Sequence, residues 1–499
     1  MKLCNVAGIL FSASAFIVAK CQVAKVGDGS KLAAQHAKLK CQYVEKPEPP
    51  KDTILKVKGS GFHNEDYLNT LKKASRVCLP KPCENITAYS GYIPVDEKKE
   101  SSFLFFLHIK SEDDMKKPLL LWLQGGPGKS SLFGQFLENG PLGIDTSGQL
   151  FYRQHTLQRD FNIIYLDQPV GSGYSFDIKG KYLSSLEDAS THVITFFEQF
   201  LEIFREYKGR DFYIAGESYG ARFTVGVAHK LKNKLPLKLK GVMLGVGFLF
   251  PLLDIINSTD FLYYARLLDN CSRDLFAERF DNIKHLAAHK KYLLNATVLL
   301  SQTVLNLRKP GQTSLFEKLT GFKHHGSIIS PQVPKEALFY YRYANSSGFK
   351  KIIHVDATRT LDGTRYNVAM QLALHDFFVD HREALLYVLN NARVLFYTAQ
   401  LDDVFPALNI DQSFKKLQWR GYEAFKVSQR MHWHRQNNAS LELLGYLKRA
   451  GALMYANVLF GGHYISLDRS SAVSELYSHF LKVMKGPPAQ PSPGETNSC

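Results

Sequence analysis

One pentapeptide near the middle of the chain carries the clearest chemistry. Gly216-Glu217-Ser218-Tyr219-Gly220 follows the apolar run 212–215, so an expected strand enters a Gly-x-Ser-x-Gly turn. Such a turn holds its serine in a strained conformation that projects the hydroxyl, and its glycines are needed because side chains there would collide with neighbouring strands. A serine hydroxyl is a weak nucleophile until a histidine accepts its proton and a carboxylate orients the imidazole. Where a strand-to-helix turn presents the serine, the carboxylate and then the histidine follow in chain order, each after a strand end. Asp402 and Asp403 follow the run 394–398, and His463 follows the run 458–460 and two glycines. The residues alone leave both aspartates open.

A second glycine turn, Gln124-Gly125-Gly126-Pro127-Gly128, follows the run 119–123 and precedes Ser130 and Ser131. Bare amides there can face a developing oxyanion, and with the amide of Tyr219 one of them would complete a two-donor hole. A phosphate loop is the rival reading, but the spacing between these glycines lacks the four residues such a loop requires. His432 and His434 form a His-x-His without a third ligand and read as alternating strand residues, and no Cys-x-x-Cys or paired zinc-ligand spacing exists. No metal or cofactor is expected.

The elements that must position these residues follow from apolar runs at 103–109, 119–123, 161–166, 212–215, 242–246, 394–398 and 454–460, separated by helical stretches. Continuous apolar strands spaced by helices argue for an α/β fold with a mostly parallel central sheet covered by helices. Between 248 and 391 the strand rhythm lapses into helix-like and irregular sequence such as 261–268, 275–289 and 384–389, which reads as an inserted, largely helical cap. The sheet domain is therefore expected in two parts, 86–247 and 392–485. Residues 20–85 mix charge, proline and glycine and read as a leader or irregular arm, and 486–499 as a disordered tail.

With 499 residues, 45% apolar and 22% charged, the composition is that of a globular chain, which excludes disorder, collagen and a polytopic membrane protein. Lys+Arg 62 against Asp+Glu 46 leaves +16, but the charge is dispersed. Its densest stretch, 230–240, alternates lysines with leucines and reads as a solvated helix end and loop rather than a nucleic-acid surface. Lys2 and the mostly apolar run 3–19, with Ile17 and Ala19 at the −3 and −1 positions, read as a cleaved signal peptide, so no membrane insertion is expected afterwards. The run 241–256 contains Gly-x-Gly, a proline and Asp254 and suits a buried strand. Sequons at Asn85, Asn257, Asn270, Asn295, Asn345 and Asn438 are glycosylation candidates and support export. Cleavage after Ala19 leaves Cys21, Cys41, Cys78, Cys83, Cys271 and Cys499, an even number for an oxidising compartment, in which Cys78 and Cys83 could close a small loop.

At these residues the chain resembles the serine carboxypeptidase family, specifically its vitellogenic-like branch. The resemblance runs from about Tyr89 to Leu481. It rests on Leu121-Trp122-Leu123-Gln124-Gly125-Gly126-Pro127-Gly128, Glu138-Asn139-Gly140-Pro141, Asp167-Gln168-Pro169-Val170-Gly171-Ser172-Gly173-Tyr174-Ser175, Gly216-Glu217-Ser218-Tyr219, Gln400-Leu401-Asp402 and Gly461-Gly462-His463. It implies an α/β-hydrolase fold and release of C-terminal amino acids from peptides with a free C-terminus. Ser218 is then the nucleophile, Asp402 rather than Asp403 the orienter and His463 the base, with the amides of Gly126 and Tyr219 as oxyanion donors. Gln124, Glu138 and Glu217 are implied to hold the substrate carboxylate. Two acids can do that only by sharing protons, which favours acidic pH. A secreted or lysosomal location accords with this.

The chain departs from the family at several places. Gln124 stands where most members, though not this branch, have Asn. Lys129 replaces a small residue or a cysteine, so the family's disulfide there cannot form. The usual Ala-Gly after Tyr219 is reversed to Gly220-Ala221, where the methyl can disturb the elbow helix. Gly245-Val246-Gly247 replaces Gly-Asp/Asn-Gly, and Ser466 and Ser470 replace prolines. An acyltransferase on the same triad and a catalytically weak binding or storage homologue are the alternative readings.

Overall fold

Alternate residues of each apolar run face opposite ways, and the sheet divides them between two cores. The computed structural model describes residues 51–57, 65–96, 101–113, 116–232, 234–304, 312–363, 365–436 and 441–483. The segments 1–19 and 486–499, with Asn438, Cys21, Cys41 and Cys499, lie outside them. The strands are β1 (Arg76–Cys78), β2 (Thr87–Pro94), β3 (Ser102–Ile109), β4 (Leu119–Leu123), β5 (Leu142–Ile144), β6 (Leu150–Tyr152), β7 (Asn162–Leu166), β8 (Phe176–Asp177), β9 (Asp211–Glu217), β10 (Lys238–Gly245), β11 (Arg393–Ala399), β12 (Met431–Gln436), β13 (Leu441–Ala450) and β14 (Leu453–Val458). Leu119, Leu121 and Leu123 of β4 join one core with Phe196 and Phe200 of the helix Leu186–Ile203. Leu120 and Trp122 join the other, with Leu476 and Phe480 of the helix Ser470–Val483. A strand buried on both faces in this way needs an unbroken apolar run.

The main sheet runs β1-β2-β3-β7-β4-β9-β10-β11-β14-β13-β12, with β8 beside β3, and β5 and β6 form a separate pair. From β7 to β14 every pairing is parallel, whereas both flanks are antiparallel. The expected strands are all present. Those with no signal in the sequence are on the flanks: β2 includes Ser90, Gly91 and Pro94, and β13 mixes charge with leucine. His432 and His434 lie on β12, in the expected strand setting. The stretch 51–85 is not irregular throughout. It contains the helix Glu65–Ala74 and β1, Leu55 is fully buried, and Ile54 bridges to Tyr92.

Between β10 and β11 lie the helices Asn270–Ala287, Leu293–Thr303, Lys335–Ala344, Tyr366–His375 and Arg382–Asn391, with shorter ones among them. Among the described residues no helix is long and apolar enough to cross a membrane. The lysine-rich stretch ends the helix Tyr219–Leu231 and leads into β10, with Lys232, Lys234, Lys238 and Lys240 exposed. Cys78 is disulfide-bonded, but Cys83 is a free buried thiol, pushed up to about 12 by burial, so these two do not close the small loop.

A buried ion pair ties the inserted region to the sheet domain. Asp376, just after the helix Tyr366–His375, accepts from Arg222 Nε (2.7 Å) and from the Tyr219 hydroxyl, while its other oxygen meets His381 Nε2 at 2.8 Å. Both side chains of the Asp376–Arg222 pair are 2% exposed. Removing one member leaves a buried charge without a partner. Asp376→Ala should therefore destabilise the fold by about 3–5 kcal/mol, and the double change Arg222→Met with Asp376→Leu should recover much of it. Thermal and urea unfolding of the three variants checks this. An Asp376→Ala midpoint equal to wild type would mean the pair is not under such strain of burial.

Candidate active site

Ser218 stands where β9 turns directly into the helix Tyr219–Leu231, with φ 57° and ψ −122°. A residue with a side chain adopts that conformation only where its surroundings impose it. Its amide donates to Gly245 O (2.9 Å) and its carbonyl accepts from the Phe248 amide (3.1 Å), so the turn after β10 clamps the serine backbone from both sides. Contacts between backbones close the turn further. A Cβ on Gly216 would lie 2.3 Å from Gly220 O, and one on Gly220 would lie 2.1 Å from Leu123 O. Both elbow glycines are sterically required.

His463 Nε2 lies 2.9 Å from Ser218 Oγ, and its Nδ1 lies 2.9 Å from Asp402 Oδ2. Asp402 is fully buried, and its other oxygen accepts from the amides of Val404 (2.8 Å) and Phe405 (3.0 Å). A carboxylate accepting at Nδ1 keeps the imidazole proton there and leaves Nε2 to take a proton from the serine. Asp403 takes no part in this. Its backbone carbonyl meets His325 Nε2 at 3.0 Å, and burial, then the charge of Asp402, pushes its carboxyl well above the usual range. The loop holding His463 is braced by its own amide, which donates to Gly326 O (2.6 Å) of the inserted region.

The second glycine turn presses against the elbow. A Cβ on Gly125 would lie 2.6 Å from Glu217 O and 3.1 Å from the Tyr219 amide, and Gly126 has φ +118°. Gly126 and Tyr219 line the same cleft as Ser218, and the Tyr219 amide starts a helix and has no carbonyl of its own turn to bond. Backbone amides that converge on a reacting carbonyl can stabilise its oxyanion.

Gln124, Glu138 and Glu217 line the same cleft as Ser218 and His463. Trp122 Nε1 can only donate, and it donates to Gln124 Oε1 (2.9 Å); this turns the amide nitrogen toward Glu138 Oε1 (3.3 Å). Glu138 Oε2 is buried with no partner among the described residues. Burial, then the charge of Glu217, pushes the Glu138 carboxyl well above the usual range. Burial also pushes Glu217 up to about 7, against hydrogen bonds from Ser466 and Tyr397 that pull it down. Tyr397 OH donates to Glu217 Oε1 (2.8 Å) and meets Tyr477 OH at 2.9 Å, and Ser466 Oγ donates to the same Glu217 oxygen.

Sequence reasoning missed Tyr397, Tyr477 and the role of Ser466. One signal was present: Gly245 pairs with Tyr397 across β10 and β11, and a Cβ there would lie 2.3 Å from the tyrosine ring. The methyl of Ala221 does not disturb the elbow helix. It is fully buried and faces Gly247, whose missing Cβ would otherwise stand 3.1 Å away. Among the described residues no group of three His, Cys, Asp or Glu could hold a metal ion. Of the sequon asparagines, Asn85, Asn257, Asn270 and Asn295 are exposed. Asn345 is not free in the same way, because its Nδ2 donates to Tyr341 O (2.9 Å) and Leu361 O (2.6 Å).

Residues 80–483 match the sequence profile of the family described as serine carboxypeptidase. The chain is 31% identical over 408 residues to the venom serine carboxypeptidase of Apis mellifera, covering 80% of this chain and 85% of that one. It is 30% identical over 403 residues to the vitellogenic carboxypeptidase of Aedes aegypti, covering 79% and 83%. It is 28% identical over 409 residues to the human probable serine carboxypeptidase CPVL, covering 81% and 84%. Among solved structures, the prohormone-processing carboxypeptidase Kex1(delta)p of Saccharomyces cerevisiae superposes with a TM-score of 0.67 at 20% identity, covering 83% of this chain and 96% of that one. At that identity the likeness shows the α/β-hydrolase fold.

The geometry makes a direct prediction for a serine-directed fluorophosphonate. Labelling should map to Ser218, vanish in Ser218→Ala, and slow by at least about a thousandfold in His463→Ala. Asp402→Asn should lose most labelling, whereas Asp403→Asn should retain it. Gly220→Ala should lose it through distortion of the turn. Intact-mass and peptide mapping check each variant, and inactivation by Asp403→Asn but not Asp402→Asn would reverse the assignment of the orienter.

Proposed function

The chain belongs to the serine carboxypeptidase family, and from that premise we propose that Ser218, His463 and Asp402 release the C-terminal residue of a peptide through an acyl-enzyme. Ser218 Oγ attacks the carbonyl carbon of the last peptide bond while His463 takes its proton. The Gly126 and Tyr219 amides stabilise the oxyanion. His463 then gives the proton to the departing nitrogen as the C–N bond breaks. Water attacks the resulting ester, its proton passing through His463 back to Ser218. The observation that carries this reading is the placement of Gln124, Glu138 and Glu217 in the cleft of the nucleophile, where they can hold a terminal carboxylate. The hydrogen bonds joining Ser218, His463 and Asp402 favour it over a catalytically weak binding homologue.

A carboxylate can sit against two glutamates only while they keep a proton for it. Glu217 holds its proton below about 7 and loses it above. Carboxylate binding should therefore weaken as pH rises through that value. The kcat/KM of a blocked dipeptide should fall by about tenfold per pH unit on the upper limb. The C-terminal amide of the same dipeptide should lack that limb, and Glu217→Gln, which donates at every pH, should extend activity upward. Coincident pH profiles for acid and amide, unmoved by Glu217→Gln, would mean that these residues do not read the terminus.

We also infer export through the secretory pathway, with cleavage after Ala19 and delivery outside the cell or to a lysosome. The apolar run 3–19 and the exposed sequons support it. In a eukaryotic secretory host, glycopeptide mapping should find glycans among Asn85, Asn257, Asn270 and Asn295 and none at Asn345, whose amide nitrogen is occupied twice. A mature chain retaining residues 1–19 with every sequon bare would overturn the inference.

A further inference from the structure

Among the described residues lining the cleft, Lys129 is the only lysine or arginine. It follows the oxyanion turn directly. Its amide lies 3.3 Å from Gly125 O, and its Cγ lies 3.3 Å from where a Cβ on Gly126 would stand, so its stem runs along that turn. Its Nζ donates to the Tyr464 hydroxyl (2.7 Å) and stands 4.5 Å and 5.1 Å from the ring centroids of Tyr464 and Phe133. Tyr464 is itself stacked on His324, with centroids 5.3 Å apart and planes 11° apart. Ring faces and one hydrogen bond thus hold a long, flexible side chain in place.

Among the described residues the charge has no anionic partner. Among the described residues no carboxylate lies within 4.0 Å of Nζ, and Tyr464 occupies one of its three donors. Glu138 is close enough to feel the Lys129 charge, but burial, then the charge of Glu217, pushes that carboxyl well above the usual range against it. Lys129 thus stands on the wall where Gln124 and Glu138 are read as holding the terminal carboxylate, beside the departing residue. Elsewhere the lining is apolar, with Phe248, Leu252, Ile256 and Phe377.

We propose that Lys129 is a specificity-determining residue of the subsite for the departing residue, where it pairs with an acidic side chain and favours peptides ending in glutamate or aspartate. This rests on the reading of Gln124, Glu138 and Glu217 as the terminal-carboxylate site. An apolar terminal residue covers the cation without pairing it, whereas an acidic one supplies a charge-assisted hydrogen bond in a confined cleft. The two carboxylates of a terminal glutamate are then held by different chemistries, one by shared protons and the other by a fixed cation.

The test compares blocked dipeptides that share their first residue and end in glutamate or in its neutral isostere glutamine. The wild-type chain should favour glutamate by about tenfold in kcat/KM, as expected for one added charge-assisted hydrogen bond. Lys129→Met should bring the ratio near one, Lys129→Arg should keep it, and Lys129→Glu should favour a terminal lysine over a terminal glutamate. The ratio is the readout, whatever happens to absolute rates. The same pair is titrated calorimetrically against the Ser218→Ala chain, with and without Lys129→Met, so that binding is read without turnover. Turnover with a glutamate-to-glutamine ratio near one, or with a ratio that Lys129→Met leaves unchanged, overturns the subsite and leaves the carboxypeptidase reading standing. A Lys129-dependent ratio in binding, with no dipeptide turned over, supports the subsite and overturns that catalytic reading. No preference in binding, with no dipeptide turned over, overturns both.

Discussion

Where β9 ends, backbone meets backbone with room for nothing larger than hydrogen. Gly216, Gly220 and Gly125 each stand where a Cβ would lie under 3 Å from a neighbouring carbonyl oxygen, and this contact forces the abrupt strand-to-helix turn that lifts Ser218 into the cleft. The contact exists only because β4 and β10 flank β9 in parallel, which brings the ends of all three strands to one edge of the sheet. The ends of β11 and β14 lie on the same edge and deliver Asp402 and His463. Parallel register is thus the condition for the site, and the two-sided burial that parallel strands require is what the twin cores supply.

Beside that backbone contact, the chain buries two acids within reach of each other. Water cannot solvate them and like charges oppose joint ionisation, so both carboxyls are pushed above the usual range. The two are treated differently. Glu217 receives hydroxyls from Tyr397 and Ser466, whereas Glu138 has Gln124 on one oxygen and nothing described on the other. One acid is therefore anchored, and the other keeps an oxygen with no partner among the described residues. One departure from the family pattern falls here, Ser466, which supplies a hydroxyl where a proline would offer none, while Gly245 makes room for the Tyr397 ring.

The inserted region does more than cover the cleft. Gly326 O receives the His463 amide, and Asp376 receives the Tyr219 hydroxyl, so both His463 and the first residue of the helix after Ser218 depend on it for position. Disrupting the Arg222–Asp376 pair therefore reaches the chemistry through Tyr219 as well as through stability.

The sequence by itself determined the elements that local pattern encodes. Apolar runs long enough to be buried on both faces marked every strand from β7 to β14 that pairs in parallel, and glycine spacing marked the two turns where only a hydrogen fits. Ser218 and His463 were legible because each follows such a run and a glycine. Tertiary structure decided whatever depended on pairing across distance. The strands β2 and β13 are mixed in character because flank strands need not be apolar throughout, and their pairing is set by β3 and β14. Asp402 and Asp403 are adjacent aspartates and both fully buried, so no local rule separates them; only the arrival of His463 Nδ1 at one carboxyl does. Tyr397, Ser466, Arg222 and Asp376 gain their roles from Tyr477, Glu217 and one another, across separations between 80 and 249 positions. A side chain whose function is its contact carries no signature until the chain has folded around it.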